Sequence, residues 1–276
     1  MRDPFDIILN ENPVPIQRQP FPRNSELPKL LDGSNWVWQK PPRRQNCSGM
    51  KPKWWIGTDA DGGRWLVKMR GGTFGYREHV FTSLAQRLGI SCQSSAYVLI
   101  ASEKAEPRLH TLDSEPYQLA LWLIDEHTNQ PCSADCCCAH FFGKNMDFPA
   151  IRRASTAGIA FIEDLVRADV LGHLCGQDEP HDHFLTCNHE YVSIDHERMF
   201  VREPSLNACH WHDCESARPV ILEVCRNLVL VGDDELLEFD KLPGGYMVSG
   251  RENLYADLIY AKTVATDYLD LFEEFM

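Results

Sequence analysis

Short apolar runs bounded by turn residues recur in the first half of the chain, a pattern typical of β-strands. The apolar run at 53–57, a glycine-rich turn and a second run at 64–69 predict a β-hairpin. In the second run Trp65 and Val67 share one face, whereas Lys68 lies on the other. Two further strands are predicted, at 96–100 and 118–124.

Helical spacing dominates the second half of the chain. The strongest pattern covers about 155–175, and two more helices are predicted near 219–232 and 252–275. One helix is also predicted in the first half, beginning after Gly75 and ending at Gly89. A β-rich half followed by a helical half predicts an α+β fold with two lobes.

Three regions follow from these patterns. Residues 1–48 are rich in proline, which removes backbone donors and favours extended geometry, so we predict an extension that wraps a surface or stays loose. One strand is expected within it, at Trp36–Trp38. Residues 49–126 form the predicted β-rich lobe, and residues 127–276 form the helical lobe.

Composition and charge exclude several classes of protein. The net charge of −13 disfavours sequence-independent binding to nucleic acid phosphates, so no direct DNA binding is expected. No apolar run reaches the length of a membrane span, and the acidic, proline-containing start does not resemble a signal peptide. The odd count of 11 cysteines favours reduced thiols over a disulfide framework, and therefore a cytoplasmic location.

Acidic residues follow the strongest helix at a spacing that suits phosphoryl transfer. That reaction needs one acid to orient or deprotonate the attacking hydroxyl and a second acid to hold magnesium on the nucleotide. Asp178 stands at the exit of the helix, and Asp195 follows an apolar strand 17 residues later. A further metal ligand commonly lies five residues after the first acid, at the position of His183.

The β-rich half offers the remaining parts of a phosphate site. Lys68 ends a strand, where its ammonium group can reach nucleotide phosphates, and Glu78 at the start of the next helix can orient that lysine. Each also has a simpler interpretation, as a solvated edge residue and as a complement to the helix dipole. The glycines at 71, 72 and 75 form either a phosphate-covering loop, through Gly72 and Gly75, or a plain turn.

Four segments, in this order, resemble those of HipA-like kinases, within the wider set of protein and lipid kinase folds. They are the strand ending at Lys68, the helix containing Glu78, the loop from Gly176 to His183, and the run Ile194–His196. The similarity covers roughly residues 50–200 and implies a two-lobed kinase-like fold. Residues 1–45 have no counterpart in that pattern.

The resemblance implies an ATP-dependent kinase that uses Mg²⁺. It assigns Lys68 to the nucleotide phosphates with Glu78 as its partner, Asp178 to acid–base catalysis and Asp195 to the metal. The adenine would meet a hinge formed by Asp125 and Glu126.

Two departures from the family pattern bear on activity. The family has asparagine at the position of His183, and an imidazole is a poorer magnesium ligand than an amide oxygen. An arginine often follows the catalytic acid in the family, but Glu179 and Pro180 follow it in this sequence. These departures leave a pseudokinase, or a preference for Mn²⁺, as alternatives.

The resemblance also bears on the partners of the protein. It implies a hydroxyl acceptor, as in serine/threonine protein kinases, while small molecules and RNA ends stay open as acceptors. HipA-like proteins often act as toxins held by an antitoxin, so the resemblance also implies a regulatory protein partner of that kind.

Two other metal-based interpretations stay open at this point. The dense histidines and aspartates at 178–196 suit a catalytic divalent metal of a hydrolase, although that hypothesis leaves Lys68 and Glu78 unexplained. Two cysteine–histidine clusters, at 132–140 and 209–214, have spacings that allow a structural zinc site. Adjacent cysteines are also ordinary buried apolar residues.

Overall fold

A computed structural model describes parts of both halves of the chain. The described residues are 23–26, 30–39, 54–61, 64–68, 73–99, 117–122, 159–178, 182–185, 191–194, 196–209, 211–241 and 254–273.

The described part of the first half contains a six-stranded sheet, formed by β1 (Leu30–Asp32), β2 (Val37–Gln39), β3 (Trp54–Thr58), β4 (Arg64–Lys68), β5 (Ser95–Leu99) and β6 (Tyr117–Trp122). The strand order in the sheet is β1-β5-β6-β4-β3-β2. Its edge strand β1 pairs in parallel with β5, and the other neighbours are antiparallel. The hairpin predicted around the glycine-rich turn is confirmed as β3 and β4.

Tryptophans cover one face of this sheet and form a small core of their own. Trp65 and Val67 are buried on that face together with Trp55, as the alternation in β4 predicts. Trp36 stacks on Trp65 with ring centroids 6.0 Å apart. The Trp65 indole N–H also donates to Asp59 Oδ2 at 2.9 Å, which ties the hairpin turn to the strand that follows it.

The opposite face of the sheet lies against helix α1 (Thr73–Arg87) and belongs to the main core. Leu66 of β4 packs against this core, as does Leu30 of β1. The helix begins at Thr73, so Gly75 lies in its first turn and Glu78 in its second. Part of the predicted glycine loop is therefore helical.

The described part of the proline-rich segment is integrated into the sheet, where it contributes both edge strands, β1 and β2. The strand predicted at Trp36–Trp38 is found at Val37–Gln39, and β1 was not predicted. Asn24 adds a second attachment, since its side chain lies between α1 and β5. Its amide nitrogen is 3.0–3.1 Å from the hydroxyl oxygens of Thr82, Ser83 and Ser95, and its Oδ1 accepts from the Ser95 backbone N–H at 2.7 Å.

We expect Asn24→Ala to lower the free energy of unfolding by about 1–3 kcal/mol, because it leaves part-buried donors and acceptors without their partner. The measurement is urea unfolding of the full chain. Asn207→Ala is the matched control, because Asn207 is exposed, and it should change stability by less than about 0.5 kcal/mol. Equal effects of the two substitutions would contradict the role assigned to Asn24.

The described part of the second half is mainly helical and encloses the rest of the main core. Its helices are α2 (Ile159–Leu174), α3 (Arg218–Val229), α4 (Asp233–Phe239) and α5 (Leu254–Glu273). Helix α2 packs on α3 and α5, and α4 contacts both α1 and α5. The Tyr76 hydroxyl of α1 donates to the Asp240 carbonyl oxygen at 3.1 Å, which joins the two halves directly. The helices predicted at about 155–175, 219–232 and 252–275 are confirmed as α2, α3 and α5, whereas α4 was not predicted.

A two-stranded hairpin follows α2, formed by β7 (Asp182–Leu185) and β8 (Tyr191–Ile194). The structure is therefore a mixture of a six-stranded sheet, a hairpin and packed helices. Within the described ranges, no helix is long and apolar enough to cross a membrane.

Candidate functional site

The loop at the end of α2 is held by backbone hydrogen bonds to a segment about 25 residues further along. Gly176 has a φ of 61° and turns the chain out of the helix. Its carbonyl oxygen accepts from the N–H groups of Val201 and Arg202 at 3.0 and 2.9 Å. Asp178 N–H in turn donates to the Arg198 carbonyl oxygen at 3.0 Å. Asp178 is therefore presented on an ordered backbone.

Two arginines of that later segment form ion pairs with the Asp178 carboxylate. Arg202 Nε donates to Oδ1 at 2.6 Å, and Arg198 Nη2 donates to Oδ2. Desolvation acts to raise the pKa of Asp178, but the hydrogen bond and charge of Arg202, with those of Arg198, outweigh it and lower the pKa below the ordinary value. Asp178 is therefore ionised at neutral pH and is a weak base.

The lowered pKa links these ion pairs to acid stability. Because the folded-state pKa of Asp178 lies below the unfolded one, the stabilisation is present above the unfolded value and is lost as pH falls through the folded value. The arginine side chains are partly exposed, Arg202 by 66%, so solvent and salt weaken the pairs.

Glu78 reaches from α1 to the segment that follows β8. Its side chain is 1% exposed, and its Oε1 accepts from the His196 backbone N–H at 3.3 Å. His196 is the residue directly after Asp195. The fold therefore brings two predicted site segments together, although 118 residues separate them in sequence.

The His196 side chain strengthens the same junction. It is fully buried, its ring stacks on Phe81 of α1 with centroids 4.5 Å apart, and its Nε2 lies 2.8 Å from Ser193 Oγ. Strand β8 is also bonded to the chain after α1, since Ser193 N–H donates to the Ser91 carbonyl and its carbonyl accepts from Gln93 N–H. Helix α1 and β8 are thus one packed unit.

The other predicted site residues are placed only by backbone, or lie outside the described residues. Lys68 ends β4, where strand pairing sets it opposite Trp54 and Leu119. His183 lies in β7 opposite Ser193. Four predicted site residues lie outside the described residues: Gly72, Asp125, Glu126 and Asp195.

The cysteine–histidine clusters are also described only in part. Cys209 is buried and its thiol lies 3.6 Å from Asp169 Oδ2, whereas Cys214 Sγ lies 3.2 Å from Ser216 Oγ. The cluster at 132–140 and His210 lie outside the described residues, so the predicted joint zinc site stays a prediction.

Sequence analysis missed Arg198 and Arg202. In the family pattern an arginine follows the catalytic acid, whereas Glu179 and Pro180 follow Asp178 in this sequence. In the structure the positive charge comes from residues 20 and 24 positions later. No local motif marks them, because the contact depends on how the segment after β8 folds back on the end of α2.

Comparisons with known proteins support the fold at a coarse level. No family model matches the sequence, and no curated protein is similar to it. The crystal structure of the proinflammatory kinase CtkA from Helicobacter pylori is similar, with a TM-score of 0.50 and 9% sequence identity. The match covers 86% of this chain and 93% of that one. At this identity the similarity shows a kinase-like fold and does not extend to activity.

Proposed function

We propose that the protein is an ATP-dependent phosphotransferase of the HipA-like type, with two lobes and the nucleotide bound between them. The observation that supports this most directly is the contact of the Glu78 carboxylate with the N–H of His196, next to Asp195. It joins the helix that supplies the lysine partner in kinases to the segment that supplies the metal ligand. The kinase-like fold is consistent with this arrangement.

Asp178 is assigned to the acceptor. The hydroxyl oxygen attacks the γ-phosphorus, the bond to the β-phosphate oxygen breaks, and ADP leaves. The lowered pKa of Asp178 makes early removal of the hydroxyl proton inefficient, so its carboxylate first orients the hydroxyl and receives the proton as the new bond forms. Arg198 and Arg202 beside it offer positive charge to the phosphoryl oxygens.

The nucleotide and its metal are assigned to residues from both halves. Lys68 is the last residue of β4, two positions after Leu66, which packs against the main core. Lys68 would contact the phosphates together with the Gly72 and Gly75 region, and Asp125 and Glu126 would meet the adenine. Asp195 and His183 would hold Mg²⁺ or Mn²⁺, which neutralises charge on the phosphates.

The proposed acceptor is a serine or threonine hydroxyl of a protein. An antitoxin or other regulatory protein is the proposed partner, by the resemblance to HipA-like kinases alone.

The test is incubation of the full chain with γ-labelled ATP, either Mg²⁺ or Mn²⁺, and serine- and threonine-containing protein acceptors. Transfer of label to protein supports the proposal. A rise in melting temperature with ATP but no transfer to any acceptor would identify a nucleotide-binding pseudokinase. Release of phosphate from an ester without nucleotide would favour the hydrolase and overturn the proposal.

We expect Glu78→Gln to slow phosphotransfer by roughly 10–100-fold, because the amide loses the charge that orients a lysine while keeping the size of the side chain. Initial rates at saturating ATP measure this. Glu215→Gln, a change at an exposed glutamate, is the control and should leave the rate unchanged. An unaltered rate in a folded Glu78→Gln variant would remove this residue from the site.

A further inference from the structure

A cluster of three metal-ligating side chains lies beneath the loop that presents Asp178. Asp169 and His173 are one turn apart on α2 and therefore share a face of the helix. Cys209 approaches them from the segment after β8. One ligand atom from each lies within 4.8 Å of the others, with His173 Nε2 3.9 Å from Asp169 Oδ1.

We propose that Asp169, His173 and Cys209 bind a divalent transition metal, with Zn²⁺ as the best match. Carboxylate oxygen, imidazole nitrogen and thiolate sulfur are the three ligand types that zinc accepts in tetrahedral sites. With three protein ligands, the fourth position is left to water or to a further side chain.

The surroundings of the cluster are those of a ligand set. Gln177 Nε2 donates to Asp169 Oδ1 at 3.3 Å and so orients the carboxylate from outside, as a supporting residue does in metal sites. The backbone N–H groups of Trp211 and His212 hydrogen-bond to the sulfur of Cys209 and help to fix its position.

A metal ion bound at this site would restrain the backbone on both sides of the Asp178 loop. The metal would tie the last turn of α2 to the segment carrying Cys209, on either side of the loop that contains Gln177 and Asp178. Ser205 N–H already donates to the His173 carbonyl oxygen at 3.1 Å across the same boundary. The proposal does not rest on the proposed function, since it stands whether or not the protein transfers phosphate.

The test is metal analysis of the purified full chain, followed by Co²⁺ substitution and absorption spectroscopy. We expect the Cys209→Ser variant to hold one metal ion fewer per chain than the unaltered protein and to lose part of the thiolate-to-cobalt absorption. Cys225→Ser is the matched control, since Cys225 is also buried but lies in α3. This variant should retain both the full metal content and the full thiolate-to-cobalt absorption. Because the test compares the metal content of the variant with that of the unaltered protein, metal bound by other cysteines contributes equally to both values and does not affect the difference.

Two further variants keep the test decisive if Cys209→Ser fails to fold. His173→Gln changes a side chain that is 16% exposed, and it should remove the same metal ion. Gln177→Ala should weaken Co²⁺ binding by roughly 10–100-fold, the effect expected of a supporting residue. Full metal content in the folded His173→Gln variant, or a purified protein that binds neither Zn²⁺ nor Co²⁺, would overturn the proposal.

Discussion

Asp178→Asn should transfer phosphate from ATP about 10²–10⁴-fold more slowly than the unaltered protein, the loss expected when an acid–base group is removed from the transition state. Asparagine keeps the shape of the side chain and still offers one oxygen to the arginines, but it neither accepts the hydroxyl proton nor carries the charge that orients the acceptor. Initial rates of label transfer measure the effect.

Binding measurements separate catalysis from folding in this variant. ATP should raise the melting temperature of Asp178→Asn as much as that of the unaltered protein, because Asp178 is assigned to the acceptor and not to the nucleotide. Asp213→Asn, at a side chain that is 99% exposed, is the control and should keep full activity. Near-normal transfer by a folded Asp178→Asn variant would show that this residue does not act on the acceptor.

The pH profile offers a second readout of the same site. Loss of Arg202 in Arg202→Ala removes the leading stabiliser of the ionised carboxylate, so the acid limb of the profile should move to higher pH. In the unaltered protein that limb should lie below about pH 3.9, the ordinary pKa of an aspartate.

Gly176→Ala should be among the most destabilising single substitutions in the chain. A Cβ at this position would lie 1.9 Å from the Arg202 carbonyl oxygen and 2.9 Å from its carbonyl carbon. Backbone atoms cannot rotate away, so the segment after β8 must shift and the two bonds to the Gly176 carbonyl must weaken. The left-handed φ adds its own cost, and together we expect about 2–5 kcal/mol.

Gly89→Ala is the matched control for this substitution. Gly89 also has a positive φ, 76°, but a Cβ there would meet nothing within 4 Å. We expect a loss of about 1–2 kcal/mol from backbone strain alone. Urea unfolding of the two variants measures the difference, and equal losses would show that the segment after β8 does not pack against Gly176 in solution.

The elements of the fold were largely predictable from local patterns. The alternation of Trp65 and Val67 correctly identified the buried face of β4, because period-two patterns reflect which face of a strand is buried. The long helices α2 and α5 were equally clear, since their apolar stripes extend over several turns. The edge strand β1 was not found, because Leu30 and Leu31 are adjacent and are neither β-branched nor aromatic, so they give no strand signal.

The candidate site was only half predictable, and the reason is the range over which its parts interact. Asp178 and Glu78 could be identified from the sequence because each lies at a defined position relative to a helix. A helix is recognisable from the spacing of apolar residues within one continuous stretch of sequence. No local sequence pattern marks Arg198 and Arg202 as partners of Asp178, and none marks the contact of Glu78 with His196. They depend on chain segments that meet across 20 to 118 residues.

Local order along the chain was therefore enough to indicate a β-rich half, a helical half and two acids worth testing. Three-dimensional packing alone decided which charges surround Asp178, which residues enclose Asp169 and Cys209, and that the proline-rich segment completes the sheet. The physical reason is that strands and helices form in response to residues nearby in sequence. The partners of a buried or ion-paired charge depend on how distant segments pack in the folded protein.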